Sequence, residues 1–173
     1  MAHKFSKGPG VEMKAEQPYV AIPIQVTLRE WGMTAAMVPE VLDWIAKKGV
    51  KAVGAPFYRY WCLGGQDGEY ALEVGVPVEH MVTGDDRVVA SSIPGGSYAV
   101  AVHRGDPDLL HDSLEALERW ALSEGLQFDK RWEEEEEIWN GRFEFYLIDS
   151  QNEPDPAKWE IELAFLLMRD EAA

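Results

Sequence analysis

The same order of structural elements occurs twice along this chain. Two stretches have helical periodicity, and in each of them a Trp precedes a Gly by five positions: Trp44 and Gly49 in the first, Trp120 and Gly125 in the second. A glycine just past the end of a helix commonly adopts the left-handed conformation that ends it. We therefore interpret the two stretches as equivalent helices of a duplicated unit.

Strand-like runs surround both helices in the same order, with one run before each helix, two after it and a short extra run before each copy. In the first copy these are residues 11–15, 19–26, 56–62 and 70–78; in the second they are residues 87–93, 97–104, 142–148 and 159–168. Apolar runs separated by turn residues are typical of strands. The pattern predicts an α+β fold, a duplicated β-α-β-β repeat whose antiparallel sheet carries its helices on one side.

The length and composition favour one domain. Hydrophobic residues make up 46% of 173 residues, which is enough for a sizeable core. We expect a single domain over residues 1–173, with the first repeat at residues 11–82 and the second at residues 87–169.

Charge and cysteine content limit the partners and the compartment. Acidic residues number 31 and basic residues 16, so the formal net charge is −15. Such a surface repels nucleic-acid phosphates and anionic membranes, and its field attracts cations. Cys62 is the only cysteine, which is typical of a reducing compartment, and no metal-binding motif or cofactor is indicated. The N-terminus has no apolar signal segment, so we expect a cytoplasmic protein.

The last strands of the two copies align so that Glu73 matches Glu162 and Gly75 matches Ala164. Because strand side chains alternate between faces, all four are predicted on the face opposite the helices. The small residues would leave room above the sheet, and two halves packed edge to edge would form a trough with carboxylates near its floor. The alternative is that both carboxylates are simply exposed to solvent.

Aromatic residues are the other candidates for the walls of this trough. Tyr60 aligns with Tyr146 in the third strands, and several Trp residues lie outside the two helices. The residues predicted to bind ligand are Glu162, Tyr146, Tyr60, Trp61, Glu73, Trp31, Trp139, Phe143 and Ala164. The alternative for each Trp is packing in the core or at its rim.

The segment RVVASSIPGGSYAVAVHRGDPDLLHDSLEALERWALSEGL (residues 87–126), with its His103-Arg104-Gly105 turn, resembles the second-half signature of GyrI-like small-molecule-binding domains. These are also called AraC-type effector-binding domains and are similar to the SOUL-like superfamily. The closing strands FEFYLID and WEIELAFLLM resemble those of the family as well. The resemblance implies a ligand cleft between the halves, binding of lipophilic and often cationic aromatic compounds, a buried glutamate at Glu162 and a cleft tyrosine at Tyr146.

The resemblance leaves several functions open. The first is a stand-alone multidrug-binding protein for hydrophobic aromatic or cationic small molecules. The second is a hydrolase of cyclopropane-containing alkylating natural products, in which Glu162 would activate water and Tyr146 would stabilise an oxyanion. The third is a gyrase-inhibitor-like interaction protein that uses the five glutamates at residues 133–137, although such a run is also typical of a solvated face. Haem binding has less support, since His80, His103 and His111 lie in no diagnostic motif.

Overall fold

A computed structural model describes residues 5–27, 30, 32–64, 69–148 and 152–169. The helices are α1 (Gly32–Ala35), α2 (Met37–Lys48) and α3 (Leu110–Ser123), and short 3-10 turns lie at Pro107–Leu109 and Pro156–Lys158. The strands are β1 (Phe5–Lys14), β2 (Gln17–Val26), β3 (Phe57–Leu63), β4 (Tyr70–Pro77), β5 (Val89–Ile93), β6 (Gly96–Arg104), β7 (Lys130–Glu133), β8 (Glu136–Trp139), β9 (Arg142–Tyr146) and β10 (Glu160–Leu166). Within these described ranges, no helix combines the length and apolarity needed to cross a bilayer.

The ten strands form one antiparallel sheet, and its order reflects the duplication. Along the sheet the strands are β1-β6-β10-β9-β3-β4-β2-β5, with the β7–β8 hairpin attached through β8 to β3. The first strand of each copy pairs with the second strand of the other copy, as β1 with β6 and β5 with β2. The central pair is β3 with β9. The predicted α+β architecture, with a duplicated unit and helices on one side, is confirmed.

Two short connections bring the ends of this sheet together. Only residues 94–95 join β5 to β6, and only residues 15–16 join β1 to β2, although the joined strands lie near opposite ends of the order. In a flat sheet, β6 and β5 would lie about 29 Å apart, six strand spacings. The connection from Ile93 to Gly96 spans at most about 11 Å. The sheet is therefore strongly curved, and a Cβ at Gly95 would lie 3.1 Å from the Glu16 backbone nitrogen of the other connection.

The two faces of the curved sheet have separate cores. On one face, α2 packs against the strands of the first copy through Met37, Val41 and Ile45, and α3 packs against those of the second through Leu117 and Ala121. The opposite face is enclosed by the curvature and filled with side chains. The fully buried aromatic residues there are Tyr19, Phe57, Tyr98 and Phe143, with Phe145 nearly buried beside them. The predicted trough is therefore wrong for this part of the sheet, because aromatic rings fill the space.

The second copy contains an additional β-hairpin, formed by β7 and β8, that the sequence analysis did not anticipate. Residues 133–137, interpreted above as a solvated run, form its tip and the start of its second strand. Cys62 and Leu63 of β3 pair with this hairpin, so it extends the sheet where the two copies meet.

Close packing on the enclosed face predicts the effect of a single methyl group. A Cβ at Gly75 would lie 2.9 Å from the Phe57 ring and 3.0 Å from both Ala21 Cβ and the Val20 carbonyl oxygen. We expect Gly75→Ala to lower the free energy of unfolding by about 1–3 kcal/mol because these buried atoms must move. Gly10→Ala, with nothing within 4 Å of its new methyl group, is the matched control. Urea denaturation of both variants tests this, and equal stabilities would contradict it.

Candidate functional site

Two buried charged side chains lie on the central strands and point to opposite faces of the sheet. Arg59 of β3 and Glu144 of β9 are each only 4% exposed. In the register of these two strands, Tyr58 lies opposite Glu144 and Arg59 lies opposite Phe143. Because side chains alternate along a strand, Glu144 faces the helices and Arg59 faces the enclosed aromatic core.

Two tyrosines hold the Glu144 carboxyl group. The hydroxyl groups of Tyr60 and Tyr146 both donate to Glu144 Oε1, at 2.9 and 3.0 Å. Among the described residues, none donates a hydrogen bond to Oε2. Burial raises the pKa of the Glu144 carboxyl group, while the tyrosine hydrogen bonds and the charge of Arg142 act in the opposite direction. Burial, reinforced by the nearby carboxyl group, raises the pKa of both tyrosines well above the ordinary value.

The surroundings of Glu144 lie at the boundary between the two helix-side cores. Tyr146 packs against both cores, and its ring centroid lies 4.9 Å from that of Tyr58. The hydroxyl groups of Tyr58 and Thr34 are 2.8 Å apart, which links β3 to the short helix α1. The carboxyl group therefore lies among three tyrosines, with α1 linked to them through the Thr34 hydroxyl group. We call Glu144, Tyr58, Tyr60 and Tyr146 the tyrosine–glutamate site.

Arg59 occupies a different environment inside the curved sheet. Its Nη1 donates to the Tyr19 hydroxyl oxygen at 2.8 Å and to the Ser92 carbonyl at 3.1 Å, and its Nη2 donates to the Asn140 carbonyl at 2.8 Å. The guanidinium carbon lies 3.8 Å from the centroid of the Trp61 ring. Its Nε has no acceptor among the described residues. Arg59 thus joins β2, β5 and the turn before β9, which makes it a structural group of the closed sheet.

The two predicted carboxylates, Glu73 and Glu162, do lie on the side away from the helices, and each already has a partner. The Tyr19 hydroxyl group donates to Glu73 Oε1 at 2.5 Å. Lys14 Nζ lies 3.2 Å from Glu162 Oε2, and 18% of the Glu162 side chain is exposed. Ala164 is buried in the aromatic core of the same face. Glu162 is therefore a partly exposed ion-paired group, unlike Glu144.

The structure separates the remaining predicted residues. Tyr60 and Tyr146 face the helices, so their predicted position beside Glu162 is wrong: they alternate with Arg59 and Phe145 along their strands. Trp139 is buried against Phe128 and Phe165 in the core under α3. Phe143 lies in the opposite aromatic core. Trp31 lies outside the described residues.

Trp61 and Glu73 are the two predicted residues that share an open surface. They line a depression of about 310 Å³ together with Pro23, Gln25 and Ala71. It lies on the non-helical side, at the ends of β2, β3 and β4. The depression has no buried carboxylate without a partner, since Glu73 accepts the Tyr19 hydrogen bond.

Sequence reasoning missed Glu144, and a signal for it was present. In the sequence RFEFYL, Phe143 and Phe145 alternate with Glu144 and Tyr146. Because Tyr146 shares the face of Glu144 while Phe143 and Phe145 share the other, both faces of this strand carry aromatic residues, which is the pattern of a strand covered on both sides. A buried carboxyl group of this kind is a strong indicator of a functional site.

A comparison of the sequence with models of protein families identifies a class of protein that agrees with the fold. The GyrI-like small molecule binding domain matches residues 9–167. The chain therefore belongs to this family, and no curated protein matches it.

Solved structures with the same fold include proteins of different activity. The EcmrR C-terminal domain has a TM-score of 0.76 and 16% identity, over 93% of this chain and 97% of that one. In the EcmrR–DNA complex, the match spans 57% of the EcmrR chain. SAV2435 bound to tetraphenylphosphonium has a TM-score of 0.57 and 13% identity, over 92% of this chain and 93% of that one. A hydrolase from Listeria innocua has a TM-score of 0.59 and 13% identity, over 96% and 94%. At these identities the likeness shows the fold alone.

The raised pKa of Glu144 predicts a characteristic dependence of stability on pH. Its folded pKa exceeds the ordinary value of 4.5, so the folded state binds the proton more tightly than the unfolded state. This contribution to stability is complete below the unfolded pKa and is lost as the pH rises through the folded pKa. We expect Glu144→Gln, which cannot ionise but can still accept both tyrosine hydrogen bonds, to gain Tm relative to the wild type as the pH rises above the ordinary value of 4.5.

Thermal unfolding across this pH range tests the expectation. Glu162→Gln is the matched control, because that carboxylate is partly exposed and its partner is Lys14. A Tm difference between Glu144→Gln and the wild type that does not change with pH would show that Glu144 does not titrate as the burial requires.

Proposed function

We propose that this protein binds lipophilic, cationic aromatic small molecules at the tyrosine–glutamate site. The observation that carries the proposal is the Glu144 carboxyl group, which is buried among tyrosines and hydrogen-bonded only to neutral hydroxyl groups among the described residues. When ionised, it supplies the negative charge that a cationic ligand requires, and no cationic side chain among the described residues forms an ion pair with it. Family membership in the GyrI-like small molecule binding domains supports ligand binding as the general role.

Electrostatics favours a cation over a neutral ligand at this position. Burial makes the ionised form of Glu144 costly in the empty site and raises its pKa, although the charge of Arg142 acts in the opposite direction. A bound cation would stabilise the ionised form, and binding would then release the proton. The rings of Tyr58, Tyr60 and Tyr146 would each add about 0.5–2 kcal/mol through cation–π contacts. The net charge of −15 raises the local concentration of cations around the protein.

Ligand access requires the cover of the site to move. Glu144 is 4% exposed, so a ligand reaches it only if a neighbouring element is displaced. The helix α1 is held less strongly than α2, because it has four residues and only Thr34 among them is buried, whereas α2 buries three. Displacing it breaks the contact between the Thr34 and Tyr58 hydroxyl groups, whereas displacing α2 would expose Met37, Val41 and Ile45. Elements with few buried contacts open at low free-energy cost.

The same site also supports a second candidate function, that of a hydrolase. A carboxyl group with a raised pKa is suited to general acid–base chemistry, and the Tyr146 hydroxyl group beside it could stabilise an oxyanion. The original hypothesis placed Glu162 in the first role, and the burial of Glu144 favours Glu144 instead. One of the solved structures of similar fold is that of a hydrolase from Listeria innocua. Consumption of a cyclopropane-containing alkylating substrate, lost in Glu144→Gln, would distinguish the enzyme from a binding protein.

We further propose that the protein acts in the cytoplasm as a single domain without nucleic-acid partners. The single Cys62 and the net charge of −15 support this.

Binding of tetraphenylphosphonium tests the location of the site, since a solved structure of similar fold carries this cation. We expect Glu144→Gln to weaken binding by about tenfold or more, because a buried charge pair is lost. Glu162→Gln and Glu73→Gln are the controls and should bind with nearly wild-type affinity. Isothermal titration calorimetry in buffers of different ionisation enthalpy should also detect proton release in the wild type that is absent from Glu144→Gln.

The opposite outcome is equally specific. If Glu144→Gln binds tetraphenylphosphonium normally while Glu162→Gln or Glu73→Gln does not, the ligand lies on the non-helical face and the proposed site is wrong. Circular dichroism of each variant establishes that it is folded.

A further inference from the structure

An open apolar groove lies beside the C-terminal end of α3. It has a volume of about 410 Å³, and its apolar lining comes from Leu122, Leu126, Phe128, Trp132 and Met168. These residues belong to α3, the segment after it, β7 and the segment after β10. We call this surface the α3 groove. None of its residues belongs to the tyrosine–glutamate site.

The α3 groove brings together three large, exposed apolar side chains. Leu122 is 71% exposed, Trp132 62% and Met168 49%, and all three line one groove. Exposed apolar side chains that cluster in this way mark an interaction surface. Because these side chains are so open to solvent, a small ligand would stay largely wet here, whereas small-molecule sites bury most of their ligand. A peptide segment of a protein partner can cover the whole groove.

The charges around the α3 groove define the sign of that partner. Directly after Trp132, residues 133–136 are four exposed glutamates at the tip of the β7–β8 hairpin. Glu133 pairs directly opposite Glu136 across the hairpin, and Glu134 has a φ of 55°. Like charges in direct opposition destabilise a hairpin, and a positive φ is unfavourable for glutamate. Arg131 pairs with Glu133 at 3.0 Å, whereas Glu134, Glu135 and Glu136 have no ion-pair partner among the described residues, and a cationic partner would stabilise them.

The end of α3 adds to the negative charge. The last turn of α3 has no basic residue and is followed by Glu124, whereas the equivalent last turn of α2 contains Lys47 and Lys48. Cations stabilise the C-terminal end of a helix dipole, so this end of α3 lacks what the other copy has. The cations around the groove are already paired: Lys130 with Glu137, Arg131 with Glu133 and Arg142 with Glu118.

We propose that the α3 groove is the docking surface for a basic amphipathic segment of a protein partner. Its apolar side chains would cover Leu122, Trp132 and Met168, and its lysines or arginines would lie against the hairpin tip and the end of α3. A second copy of this chain does not fit, because each copy has a net charge of −15. The proposal is independent of the function proposed for the tyrosine–glutamate site.

Fluorescence anisotropy with a synthetic peptide tests the proposal. The probe is a short labelled helix-forming peptide with leucines along one face and lysines on the other, and the comparison peptide has glutamates in place of the lysines. We expect the wild type to bind the lysine peptide and not the glutamate peptide, with affinity that falls as salt increases. Leu122→Ser and Trp132→Ala should each weaken binding by about tenfold, as expected for central apolar contacts. Leu109→Ser, at a leucine just before α3 that is 55% exposed, is the matched control.

Charge variants test the electrostatic part separately. Glu134→Gln with Glu135→Gln should weaken binding several-fold and reduce its salt dependence, and Glu79→Gln with Asp86→Asn, which removes two exposed charges elsewhere, should not. All of these positions are exposed, so unchanged Tm values establish that the variants fold.

Four outcomes of the peptide-binding experiments would overturn the proposal. In the first the wild type does not bind the lysine peptide, and in the second it binds the glutamate peptide equally well. In the third, Leu122→Ser and Trp132→Ala leave peptide binding unchanged. In the fourth, tetraphenylphosphonium competes with the lysine peptide, and these two variants abolish the competition. The last would identify the groove as a small-molecule site. Concentration-dependent dimerisation that Trp132→Ala abolishes would likewise overturn it, in favour of a second copy.

Discussion

The strong curvature that two connections of two residues each impose on the open sheet is the constraint from which the other features follow. Since β5 and β6 lie near opposite ends of the strand order, the sheet must curve until those ends meet. Curvature turns the face without helices into an interior, which must be filled, and Tyr19, Phe57 and Phe143 fill it. Arg59 can be buried there because backbone carbonyls of Ser92 and Asn140, from segments that closure brings together, accept its hydrogen bonds.

The two buried charges on the central strands differ in what they can do. A guanidinium group remains charged at any physiological pH, so Arg59 requires permanent acceptors and stacked rings and has them in Trp61 and Tyr19. A carboxyl group can instead become neutral by taking up a proton. Glu144, held by two neutral hydroxyl groups, can therefore exist in either state without a fixed partner. Of the two, only Glu144 can couple ligand charge to protonation.

Much of the fold follows from local patterns, while the site depends on long-range closure. Alternation correctly placed Glu73 and Glu162 away from the helices, because that inference needs only one strand at a time. If Phe57, Arg59 and Trp61 share the non-helical face of β3, the same alternation places Tyr60 on the helical face. The alignment of Tyr60 with Tyr146 led us to assign both tyrosines to the trough instead. That the non-helical face would be filled was not predictable from either copy alone, because it depends on how the two copies join. The β7–β8 hairpin was missed because glutamate has low β-propensity and is unusual at the positive φ of a tight turn.

Duplication also explains why two tyrosines of the site donate to a single acid. Tyr60 and Tyr146 occupy equivalent positions in the two copies, and they converge on a single carboxyl group because β3 and β9 are central neighbours. In the aligned sequences PFYRYW and RFEFYL, the counterpart of Glu144 is Tyr58, and the two residues lie directly opposite each other in the sheet. A glutamate at both positions would place two buried carboxylates within one cross-strand pair, where like charges destabilise each other. One acid with a tyrosine opposite it keeps the symmetric pair of hydroxyl donors and avoids that repulsion, so the site must be asymmetric although the fold around it is duplicated.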